Sequence, residues 1–148
     1  MTSKADFAPE EWELVLHAPP TAGMIVLTAQ RGGTFRETYA IAKAYVEARE
    51  QHGASELLDE IVAAKPQMDH TRFHSPEELK EHGIAQLHDA VALLERKATP
   101  EEVESTRRFV VALAEKVAHA HREHGADVST AEQAAIDEVS ASLATPAA

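Results

Sequence analysis

The sequence predicts an all-α protein: a single compact domain of about seven helices over residues 1–148, built around pseudo-repeated helix–loop–helix units. Three observations predict it. Three segments begin with the same start signal, Ala8-Pro9-Glu10-Glu11, Ser75-Pro76-Glu77-Glu78 and Thr99-Pro100-Glu101-Glu102. Two more carry S/T-x-x-E capping boxes, Thr34 to Glu37 and Ser129 to Glu132. Apolar residues recur at helical spacing, and no stretch alternates with a period of two.

Each element has a physical reason. Proline suits the first helical position, where its missing N–H would have no intrahelical partner. The two Glu that follow lie where the helix dipole favours anions. Ser75 and Thr99 add an N-cap oxygen. These signals place helices over 9–17 and 20–30, separated at Pro19-Pro20, then over 34–52, 55–64, 75–96, 100–124 and 129–143. Met24, Ile25, Val26 and Leu27 make the second of these apolar nearly all round, so it belongs at the centre of the domain. Phe35, Tyr39, Ala42 and Tyr45 form a stripe on the third, and Leu57, Leu58, Ile61 and Val62 one face of the fourth. Ile84, Leu87, Val91 and Leu94 step by 3, 4, 3 along the fifth, with an interruption expected at His82-Gly83. Val103, Val110, Leu113, Val117 and Ala120 mark the sixth, where Thr106 fills the one polar position of the seam. Ile136, Val139 and Leu143 close the last. Residues 1–7 and 144–148 are expected to be loose.

Composition narrows the function. The chain has 148 residues, 44% apolar and 26% charged, enough to bury a core without staples. Lys and Arg total 14 against 25 Asp and Glu, a formal charge of −11. That balance argues against nucleic acid or an anionic membrane as partner. With no Cys there are no disulfides, thiolate metal ligands or thiol nucleophiles. The longest apolar stretch, Ala22 to Ala29, is too short to span a bilayer, and Met1 to Phe7 lacks a signal-peptide core. The expected location is cytoplasmic. Phosphate-loop, dinucleotide, nucleophile-elbow and zinc-protease motifs are absent, as is the Glu-x-x-His pair of helical di-iron enzymes. No catalytic residue is assigned.

Nine His stand out. The densest group is His119-Ala-His121-Arg-Glu123-His124, at the end of the sixth expected helix. On a continuous helix His119 points away from the seam of Leu113, Val117 and Ala120, while His124 lies close to that seam and His121 beside it. Two readings follow: partly exposed His at the negative end of a helix dipole, or a metal site using His121 and His124 with Asp127 and Glu132. Asp69, His70 and His74, in the non-periodic stretch from Lys65 to His74, read either as a second ligand set or as part of a surface loop pinned by Phe73. Arg107 and Arg108 are expected to pair with Glu104 or with neighbouring helices rather than bind phosphate, and Trp12 to anchor the core rather than serve as a partner-binding hot spot.

The two capping boxes share a longer pattern, S/T-x-x-E-x-x-A-I, from Thr34 to Ile41 and from Ser129 to Ile136. Either two caps coincide, or two helix–loop–helix units, roughly 23–50 and 110–143, face each other. Together with Pro9-Glu10-Glu11-Trp12-Glu13-Leu14, Ala18-Pro19 and Ala22-Gly23, these features resemble the TerB-like tellurite-resistance proteins. The resemblance covers most of the chain. It implies an all-helical cytoplasmic protein associated with tellurite and stress responses, with acidic residues near the two turns binding a divalent metal. In the first turn Gln30 stands where the family pattern has Asp, followed by Arg31, Gly32 and Gly33, with Glu37 retained. Neutral Gln30, with Arg31 and Arg36 nearby, is a poor set for a hard cation, which wants several carboxylates. In the second turn Glu123, Asp127 and Glu132 remain, so the expected ligands are Glu123, Asp127, Glu132, His121 and His124.

Three functions are therefore open: a non-enzymatic stress-associated module with a divalent metal at the second turn, a homodimeric protein-interaction module assembled through the 84–94 and 103–117 seams, and a His-rich metal-dependent or small-molecule-binding enzyme.

Overall fold

The computed structural model describes residues 4–29, 35–51, 55–64, 76–122 and 130–143. Over these residues the chain forms a short 3-10 turn, Lys4–Asp6, and six α-helices: α1 (Pro9–Ala29), α2 (Phe35–Glu50), α3 (Glu56–Ala63), α4 (Pro76–Lys97), α5 (Pro100–Arg122) and α6 (Thr130–Leu143). There is no strand among the described residues. No helix among them is long and apolar enough to cross a membrane.

All three Pro-Glu-Glu signals open helices with proline as the first residue. The caps close as the chemistry requires. The Glu102 N–H donates to Thr99 Oγ1 at 3.2 Å, and the Thr99 N–H donates back to Glu102 Oε1 at 2.9 Å, a reciprocal capping box. Ser55 caps α3 by accepting the Leu58 N–H. At the start of α1 the Ala8 N–H donates to Glu11 Oε1 at 2.8 Å. This bond and the Lys97 ammonium hold the Glu11 carboxyl below its ordinary value of 4.5.

The largest departure from expectation is at Pro19-Pro20. The segments 9–17 and 20–30 are one helix, and both prolines lie buried within it. Two missing N–H donors leave the Val15 and Leu16 carbonyls without their helical partners, which is why a break is expected here. Burial on both sides of the pair outweighs this. Trp12, Val15 and Ala18 before it, and Ala22, Ile25 and Val26 after it, all enter one core. The apolar segment 22–26 is central, as its lack of a polar face predicts.

Two glycines set the helix spacing. A Cβ on Gly23 would stand 2.7 Å from Leu113 Cδ2 and 2.8 Å from Ile41 Cδ1, so α1 meets α2 and α5 at a point where only hydrogen fits. Gly83 does not interrupt α4. It lies where α4 crosses α1, and a Cβ there would stand 2.9 Å from Ile25 Cδ1 and 3.0 Å from Thr21 Cγ2. The residue that reads as a helix breaker is instead a close-packing point, and the backbone approach repays the propensity cost.

These contacts also give the directions. Lys97, ending α4, bonds the Asp6 carbonyl at 2.9 Å and the Glu11 carboxylate at 3.0 Å, while Gly83 meets Thr21 and Ile25. So α4 runs antiparallel to α1. Only Ala98 and Thr99 separate α4 from α5, which therefore starts beside the beginning of α1 and reaches Gly23 at Leu113. Hence α5 runs parallel to α1. Residues 4–7 are anchored at the starting end, with Phe7 buried, its ring 5.5 Å from Trp12 and 5.6 Å from the Lys97 ammonium.

The interior absorbs the expected apolar seams. Leu87, Val91, Leu94, Val103, Val110, Leu113 and Val117 are all buried within the chain's own core. They are therefore not available as the homodimer surface that their spacing suggests. Thr106 is buried among them and donates its hydroxyl to the Glu102 carbonyl at 3.0 Å, satisfying itself within the helix. Trp12 is a core residue, as expected.

Candidate functional site

The expected ligand group falls at the junction of α5 and α6. His121 lies on the last turn of α5 and Glu132 on the first turn of α6, though the side chains of both lie outside the described residues. Glu123, His124 and Asp127 lie wholly outside them, as do Gln30 and Arg31 of the first turn and the Asp69, His70 and His74 set. Arg36 and Glu37 are on the first turn of α2, again without described side chains. His119 is described and is exposed on α5, as its position off the seam predicts. Among the described residues no three His, Asp or Glu side chains come together to hold a metal.

What the fold does place is the helix ends. Because α1 and α5 run parallel and are level at Gly23 and Leu113, they finish on the same side of the bundle. Ala29 is 6 residues beyond Gly23 and Arg122 is 9 beyond Leu113. These are about 9 and 14 Å of helix at 1.5 Å per residue. The start of α2 and the start of α6 follow from them through short connections. The two sequence units that share S/T-x-x-E-x-x-A-I thus turn at the same end of the molecule, and the closing Ile of each pattern, Ile41 and Ile136, is buried. The opposite end carries Phe7, Trp12, Lys97 and the Thr99 cap.

A second feature was not legible in the sequence. Helices α2, α3 and α5 enclose a cleft of about 370 Å³. Ala44, Ala48, Leu58, Phe109 and Leu113 supply its apolar walls. The Glu47–Lys116 ion pair joins α2 to α5 beside it. The hydrogen bond and charge of Lys116 hold the Glu47 carboxyl below its ordinary 4.5. Phe109 lies edge-on to Tyr45 at 5.3 Å and 77°, and burial pushes the Tyr45 phenol far above its ordinary value, so it stays neutral. The sequence signal was Phe109 itself, an aromatic one position off the buried seam of α5, but nothing local shows that three helices converge on it. A shallower groove of about 290 Å³ runs between α5 and α6, lined by Glu104, Arg108, Val111, Ala112, Glu115 and Leu143 among others. Arg107 and Arg108 both pair with Glu104, at 3.1 and 3.4 Å, as expected.

No family model matches the chain, and no curated protein or solved structure matches it.

Proposed function

We propose that the chain is a non-enzymatic, stress-associated helical module of the TerB-like kind, cytoplasmic, which binds a divalent cation at the second helix–loop–helix turn. Glu123, Asp127 and Glu132 supply the carboxylates, with His121 and His124 beside them. A site of three carboxylates suits a hard cation, and imidazoles extend the range to zinc or nickel. The observation that supports the reading is the parallel run of α1 and α5, which brings the flanks of both turns to one end of the bundle. Two facing helix–loop–helix units of a pseudo-symmetric domain require that arrangement. In this reading the first turn has lost its cation, since Gln30, Arg31 and Arg36 replace negative charge with neutral and positive groups.

Calorimetric titration of the whole chain with calcium, magnesium, zinc and nickel tests it. The expected result is saturable heat with at least one of them, lost in the double variant Asp127→Ala/Glu132→Ala. Absence of saturable heat for all four, or binding unchanged in the double variant, overturns it.

A further inference from the structure

We propose that the outer face of α5 is a self-complementary surface that pairs antiparallel with α5 of a second copy of this chain, about a two-fold axis between Val111 and Ala112. The buried side of α5, Val103, Val110, Leu113 and Val117, belongs to the core. The opposite side carries Glu101, Arg108, Ala112, Glu115 and His119, all exposed, flanked by the half-buried Glu104 and Val111. At about 100° per residue, Arg108 and Glu115 lie about 20° apart, one on each side of the midline of this face. Val111 and Ala112 lie about 50° to either side of that line.

Antiparallel pairing about this centre brings residue numbers together that add to 223. Arg108 then meets the partner's Glu115, and Glu115 meets the partner's Arg108. Glu104 lies level with the partner's His119, an acceptor beside an imidazole. Ala112 sits beside the partner's Ala112, where a small side chain lets two helices approach closely, and Val111 sits beside the partner's Val111. The same sum pairs Arg107 with Lys116, two like charges, but these lie about a quarter turn to each side of the contact line. Each already has an acid of its own chain, Glu104 for Arg107 and Glu47 for Lys116. Glu115 has no ion-pair partner among the described residues, and Arg108 holds only a share of Glu104 at 3.4 Å with its side chain 77% exposed. Glu104, Arg108, Val111, Ala112 and Glu115 also line the open groove between α5 and α6, so this side of α5 is accessible to a partner. One helix-on-helix contact is small beside a standard interface, so the dimer is weak and concentration-dependent.

The chain has no Cys, so one introduced thiol reports one distance. Ala112→Cys is expected to form a disulfide-linked dimer in air at least ten times faster than Ala92→Cys, an exposed α4 control, with rates normalised to thiol reactivity. Adding Arg108→Glu to Ala112→Cys sets acids against acids twice and is expected to slow linkage several-fold at low salt. Adding Glu115→Arg to that variant swaps the pair and is expected to restore the rate. Helical circular dichroism of each variant reports folding. Linkage of Ala112→Cys no faster than the control, or no recovery on the double reversal, overturns the proposal. Metal binding plays no part in this assay, so its failure leaves the cation reading separate.

Discussion

Replacing Gly23 by Ala probes the packing on which the fold depends. Two effects oppose each other. An interior helical Gly→Ala change gains about 1 kcal/mol of propensity. The new methyl, however, would stand 2.7 Å from Leu113 Cδ2 and 2.8 Å from Ile41 Cδ1, both closer than real contacts allow, and 3.0 Å from Ile41 Cγ1, which is tight. Leu113 and Ile41 are fully buried, so neither can swing into solvent. Overpacking of this kind costs about 1–3 kcal/mol. The net expectation is a loss of about 0–2 kcal/mol, roughly 0–8 °C in Tm at this chain length. At Gly83 the nearest atoms are slightly farther and one belongs to the half-buried Thr21, which can give way, so Gly83→Ala is expected to be less costly. Urea unfolding followed by circular dichroism measures both, compared at constant slope. Ile41→Val removes one clashing atom. It is expected to cost less in the Gly23→Ala background than alone, a coupling that a double-mutant cycle reads directly. A Gly23→Ala variant more stable than the parent by about 1 kcal/mol, as at an open helix site, would refute the close approach.

Other expectations follow from the same contacts. Pro20→Ala gives position 20 an N–H to donate to the Leu16 carbonyl and is expected to raise stability by about 1–2 kcal/mol after the unfolded-state entropy is counted; a lowered urea midpoint would contradict a continuous α1. Thr99→Ala removes one arm of the capping box and is expected to cost about 1 kcal/mol, seen in the same assay. Glu11 and Glu47 titrate below 4.5 in the folded chain, so their contribution is present above that pH and is lost as pH falls through the lowered values. Both carboxylates are still largely open to solvent screening, though half-buried, so the effect is small; Lys116→Met is expected to flatten the acid limb of the stability profile slightly, and an unchanged limb would count against the Glu47 pair.

Local chemistry in this chain was legible, and tertiary geometry was not. Proline at Pro9, Pro76 and Pro100 with Glu pairs behind it marks helix starts because orphan N–H groups and the dipole act within one turn. The seams of α4 and α5 show the right period but not what covers them, since a 3,4 spacing reads the same against one's own helices or another copy. Pro19-Pro20 and His82-Gly83 both carry breaker residues. The first pair is held helical by burial on either side, and Gly83 is used for close approach. Neither outcome is encoded within a window of a few residues. The cleft at Phe109 depends on three helices distant in sequence. The charges of the outer face of α5, Glu104, Arg108 and Glu115, are plain in the sequence, but that they share one exposed side emerges only once the buried side of that helix is known.

In the proposed function a divalent cation binds at the end of the bundle where both helix–loop–helix units turn. Paramagnetic Mn²⁺ added substoichiometrically to isotope-labelled protein tests the binding and its place at once, because it broadens amide signals near its site. Saturable broadening is expected first at the ends of α5 and α6 around Arg122 and Thr130. The facing ends of α1 and α2 around Ala29 and Phe35 follow, and Phe7, Lys97 and Thr99 are spared. Broadening spread evenly over the exposed acids, or centred on the Thr99 end, would contradict it.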